Sequence, residues 1–76
     1  MAKYDIRIIP EKEWLARITK TVRADNQQEI ELAAMKEVKK YFNTDYITLK
    51  TADYITYEIW YRDERIIGKL LISKGV

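Results

Sequence analysis

The chain has no cysteine and no histidine, one proline, two glycines and a single phenylalanine in 76 residues. Each absence removes a class of chemistry. Without Cys there is no disulfide, no thiol nucleophile and no thiolate zinc site; without His there is no imidazole base, no Ser-His-Asp triad and no mixed Cys/His metal centre. Scarce Gly and Pro leave no linker, low-complexity tract or internal repeat, and the two glycines, Gly68 and Gly75, stand apart from any phosphate-binding or dinucleotide fingerprint. No cofactor is expected. No apolar stretch approaches the roughly 18 residues of a membrane span, so no membrane association is expected. Lys3, Asp5 and Arg7 interrupt the apolar positions before Pro10, which speaks against a secretion signal and makes a cytoplasmic location the expectation.

What is present describes one small domain. Fourteen Lys and Arg against twelve Asp and Glu leave a formal charge of +2. A chain this short hides only about 60% of its unfolded surface, so a deep substrate cavity is not expected and neither is an enzyme. Burial alone must hold the fold, and nine aromatic residues (six Tyr, two Trp, one Phe) supply the means.

Periodicity gives the order β-β-α-β-β-β. Tyr4, Ile6 and Ile8 alternate with Asp5, Arg7 and Ile9 up to Pro10, and a second alternating run follows from Trp14 to Ala24, hairpinned to the first. Lys20 spoils its apolar phase, implying either a bulge or a strand that outruns the core. Asn26 and Glu29 have the spacing of a capping box ahead of Ile30, Ala34, Val38 and Tyr41, which predicts a helix over 26–42 that exits at Asn43. Leu32 and Met35 point away from that stripe, towards a neighbouring loop or an exposed patch. Three strands complete the chain: Tyr46–Thr51, Tyr54–Arg62 and Arg65–Ser73. In the last hairpin Ile55, Tyr57, Ile59 and Tyr61 should share the face of Ile66, Gly68, Leu70 and Ile72, with Tyr54, Glu58, Trp60 and Arg62 opposite Ile67, Lys69 and Leu71. The fold expected is α+β: an antiparallel sheet of four to five strands with one helix packed on one face.

One helix covers one face, so function is expected on the other. That register gathers Arg7, Arg17, Arg23, Lys50, Arg62 and Lys69 there against Asp5 and Glu58, with Tyr46, Tyr54 and Trp60 among them. Cations interleaved with aromatics suit two kinds of macromolecule. Exposed Trp, Tyr and Arg are the residues of protein-interface hot spots, whereas a basic sheet with ring platforms holds single-stranded DNA or RNA. Alternatively, Trp60 packs on Ile67 and Leu71 as a small second cluster. Leu70, Leu71 and Ile72, if at an edge, offer strand pairing to a partner or to a second copy in a homodimer. The close acids Glu11 with Glu13 and Asp63 with Glu64 fall in turns beside Lys12, Arg62 and Arg65, surroundings that do not raise a carboxyl pKa for acid/base work, and no three acids are spaced to hold a metal.

The stretch from Trp14 to Phe42, a strand ending in Val22-Arg23-Ala24, then Asn26-Gln27-Gln28-Glu29 and a small-residue helix, followed by a Tyr-rich hairpin, resembles small host-takeover and anti-defence proteins of bacteriophages in layout and composition. The resemblance implies a stoichiometric inhibitor that occupies a surface of a host protein. It carries over no individual residue.

Overall fold

A computed structural model describes residues 2–12 and 15–74. Five strands, β1 (Ala2–Pro10), β2 (Ile18–Ala24), β3 (Ile47–Thr51), β4 (Thr56–Tyr61) and β5 (Arg65–Lys74), accompany one helix, α1 (Gln27–Phe42). They form a single antiparallel sheet in the order β2-β1-β5-β4-β3. The chain is therefore an α+β domain with one helix, in the order β-β-α-β-β-β.

Local chemistry sets the helix ends. The Asn26 side chain accepts from the Glu29 N–H at 2.9 Å, and Glu29 Oε1 accepts in return from the Asp25 N–H at 3.1 Å. Two orphan donors are thereby satisfied before the first full turn. At the other end Asn43, left-handed at φ 54°, donates its N–H to the Lys39 carbonyl, and Asn tolerates that conformation where most side chains do not. Between these caps Ile30, Ala34 and Val38 are completely buried against Ile6, Ile8, Ile59 and Leu70 of the sheet. Each large aliphatic among them contributes about 1.5–3 kcal/mol by leaving water. Met35 packs against this core, while Leu32 is 66% exposed.

Four placements differ from the sequence expectation. First, β5 is no edge strand: β1 and β4 flank it, Leu70 and Ile72 are core residues, and Leu71 is half-buried on the far face. A strand following a hairpin pairs locally with β4, but nothing local announces that β1 closes its other side. Second, of the two readings of Lys20 the bulge is not found: it sits in regular register opposite Ile6, exposed, and its ammonium reaches Glu37 of α1 at 2.8 Å. Third, the bulge lies in β5. Ile59 pairs with Gly68 but Trp60 with Ile66, so Ile67 is the extra residue; it packs against the core, while Ile66 moves to the face of Trp60. Fourth, Ile55 precedes β4 and is 45% exposed instead of sharing the core face. Glu13 of the predicted turn and Trp14 of the predicted second strand lie outside the described residues, and regular pairing of that strand begins at Ile18.

Gly68 is required by packing. A Cβ there would meet the Ile9 carbonyl oxygen at 2.8 Å and Pro10 Cα at 3.2 Å, both backbone atoms of β1. The close approach of β1 to β5 depends on the missing side chain.

Candidate functional site

Ladder pairing fixes the face that α1 leaves uncovered. Lys3 stands opposite Arg23, Asp5 between Thr21 and Ser73, and Arg7 between Thr19 and Leu71. Leu71 continues to Thr56, and the next row runs Ile9, Lys69, Glu58, Lys50. Ile66, Trp60 and Thr48 close the face. Of the residues singled out in the sequence, Arg7, Arg23, Lys50, Trp60 and Lys69 thus share one surface. The other three lie at its margins. Arg17 precedes β2, Tyr54 lies in the β3–β4 loop and Arg62 in the β4–β5 turn. Tyr46, expected on the open face, stands just before β3 with its ring edge-on to Tyr61 at 6.4 Å.

At the β3–β4 end cations and rings satisfy one another. The Lys50 ammonium sits 4.1 Å from the centre of the Trp60 ring and 2.7 Å from Asp63 Oδ1, while the indole N–H donates to Glu58 Oε1 at 3.2 Å. Arg62 lies over Tyr46 at 4.6 Å and near Tyr61 at 5.5 Å, with Arg65 at 5.4 Å from Tyr61. The turn makes this possible. Arg62 and Asp63 both have positive φ, 54° and 59°, and the Glu64 N–H donates to the Tyr61 carbonyl, a primed hairpin turn built without the usual Asn-Gly. The left-handed conformation costs roughly 1 kcal/mol or more for a residue such as Arg62. In compensation the Arg62 N–H donates to the Tyr46 carbonyl at 3.0 Å, and the two turn side chains latch onto residues flanking and within β3.

The β1–β2 end is unlike it. Arg7, Arg17 and Arg23 are exposed, and neither they nor Lys3 and Lys69 have an ion-pair partner among the described residues. Lys3 faces Arg23 directly, a like-charge cross-strand pair that lowers stability. Asp5, the acid of this region, accepts from the Thr21 hydroxyl at 2.9 Å. Between the two ends four half-buried apolar side chains, Leu71, Ile9, Ile66 and Trp60, lie about the exposed Lys69, and no element of the described fold covers them.

A third feature is the β3–β4 loop. Asp53 Oδ1 accepts from the N–H of Ile55 at 3.1 Å and of Thr56 at 2.9 Å, and the Ile55 amide is the main reason its carboxyl titrates below the ordinary value. The loop so fixed presents Tyr54 fully exposed, at 101%. On the helix side, burial first and Glu31 second push the Tyr57 phenol above its ordinary value; its hydroxyl donates to Glu31 Oε1 at 3.0 Å.

Compared with known proteins, the chain matches no family model, no curated protein and no solved structure. Among the described residues no helix is long and apolar enough to cross a membrane.

Proposed function

We propose that the chain is a non-catalytic binding protein, a regulator or inhibitor that docks on a protein partner through the open face of its sheet. The reading rests on the half-buried apolar side chains Leu71, Ile9, Ile66 and Trp60, with Arg7 beside Leu71 and Lys50 over Trp60; exposed Lys69 stands among them, and Arg23 lies further along the same face. An apolar centre inside a polar rim rich in Arg, with Trp at its margin, is the make-up of protein interfaces. Single-stranded nucleic acid needs bare ring faces for bases to stack upon. Here Lys50 stands over the Trp60 ring, and Arg62 over Tyr46. Among the rings next to the sheet that occupancy favours the protein partner over the nucleic acid that the unpaired cations alone would suit, and it leaves Tyr54 of the β3–β4 loop as a bare ring.

The test combines two measurements. A photo-cross-linking residue at Thr56, on the open face, should trap a protein partner from the source cell, the same residue at exposed Gln28 of α1 should not, and Leu71→Glu should abolish the product while the circular dichroism spectrum stays unchanged. Titration with mixed-sequence single-stranded DNA, RNA and duplex at two salt concentrations should show only weak, non-saturating tryptophan quenching. Saturable quenching that falls by orders of magnitude with salt and is lost in Arg7→Ala would replace the protein partner with nucleic acid.

A further inference from the structure

Among the described residues the sheet has two free edges, and unpaired strand edges pair with other chains unless something blocks them. The β3 edge is only five residues long, and its Lys50 and flanking Tyr46 are engaged by the β4–β5 turn. The β2 edge is longer, seven residues. A lysine on an edge strand normally discourages pairing, because a partner strand would have to desolvate it. Lys20 has been drawn off that duty: its ammonium points back to Glu37 Oε2 at 2.8 Å, over the helix. Beside it Ile18 and Val22 are half-buried and packed against the margin of the core, with no neighbour strand to complete their cover.

Charge selects the occupant. The described strand contains Lys20 and Arg23 and no acid; Arg17 precedes it and Asp25 follows it, and Lys3, Asp5 and Arg7 stand next to it in β1, so cations outnumber acids along this edge. A second copy, paired antiparallel about Thr21, would set Lys20 against Val22 and Arg23 against Thr19, so these cations would meet no acid across the new ladder and Arg17 alone would meet one, Asp25. An acidic strand instead meets Arg23 and Arg17 on one face and lays alternate apolar side chains along Ile18 and Val22 on the other.

We infer that the free edge of β2 receives, as a sixth strand, an extended acidic segment of the protein partner. This rests on the protein-docking reading above and extends it from the sheet face to its edge. Main-chain hydrogen bonds supply the attraction and the alternation of acid with apolar residue supplies the choice of sequence.

The probe is a capped heptapeptide alternating glutamate with valine, with three relatives: lysine in place of glutamate, and two versions N-methylated at either alternate set of amides. Binding to the intact chain is followed by amide chemical shifts. Shifts should centre on residues 18–24, one N-methyl set should weaken binding at least about tenfold while the other leaves it, because only one row of amides faces β2. The lysine peptide should not bind, and Arg17→Glu with Arg23→Glu should exchange the two preferences. Equal binding by both N-methylated peptides, shifts centred on β3, or dimerisation of the free chain through β2 in sedimentation would overturn the inference. Should Leu71→Glu abolish the Thr56 cross-link while the Arg17 and Arg23 reversal leaves it intact, the edge inference fails and the face reading stands; a cross-link indifferent to Leu71→Glu removes the face reading itself.

Discussion

The two ends of the open sheet face use the same residue types to opposite purposes. Around Trp60, cations lie on rings and in a carboxylate contact, so Lys50, Arg62 and Asp63 are structural clamps on an edge strand. Around Arg7 the cations meet water, and Lys3 faces Arg23 across the ladder. A cross-strand charge pair is worth about 0.2–1 kcal/mol in either direction, so one end tends to gain stability from its charges and the other to lose it. A like-charge pair kept at a cost to stability is what the proposed docking surface would require.

The comparison can be tested by substitution. The largest effect is expected at the seam between the two halves: Gly68→Ala should cost about 1–3 kcal/mol in denaturant unfolding, because β1 must retreat from the new methyl. Next, Trp60→Ala should cost about 1–2 kcal/mol through lost burial and the lost Lys50 contact, while Arg7→Ala at the other end stays within about 0.5 kcal/mol. Equal losses at the two positions would erase the distinction. Asp63→Val should cost about 1 kcal/mol, since a β-branched residue resists φ 59° and the exposed Lys50 contact, itself worth under about 1 kcal/mol, disappears with it. Arg23→Glu should act in the other direction, raising stability by about 0.2–1 kcal/mol by turning the like pair with Lys3 into an opposite one, and yet weaken partner capture.

The last prediction concerns the covered face and shows only in alkali. The Tyr57 pKa is raised above its unfolded value, so its contribution to stability is complete below about pH 10 and is lost as pH rises through the folded value. Thermal unfolding should therefore fall more steeply above pH 10 in the native chain than in Tyr57→Phe. Parallel slopes would mean that burial and Glu31 do not set this titration.

Much of the architecture is legible locally. Asn26 and Glu29 announce the helix because a capping box is a short-range device, and the alternation of Ile6 and Ile8 with Asp5 and Arg7 reveals a strand with one dry face. That phase also places Arg7, Arg23, Lys50 and Lys69 on a common surface correctly. What escapes it depends on distant or conformational events. The bulge at Ile67 reverses Ile66; Gly68 beside it is the one local sign of an irregular strand but does not fix which residue is extra, and the central place of β5 depends on its pairing with β1. Arg62 looks like one more basic contact residue until the turn reveals it stacked on Tyr46. Lys20, a blemish in an apolar phase, becomes intelligible only with Glu37 beside it.

The position of β5 also has a kinetic side. Within the sheet the β1–β2 hairpin joins the β3–β4–β5 meander through β1 and β5, in a ladder that sets Tyr4 against Lys74. Contacts between such distant residues form slowly, because the chain must close its longest loop before they return anything. Two halves can therefore acquire local order independently, yet neither has a complete sheet until the last strand arrives. During synthesis the same rule applies: the ribosome must release β5 before the earlier hairpin finds its place, and until then β1 and β4 each offer an unsatisfied edge to whatever chain is nearest.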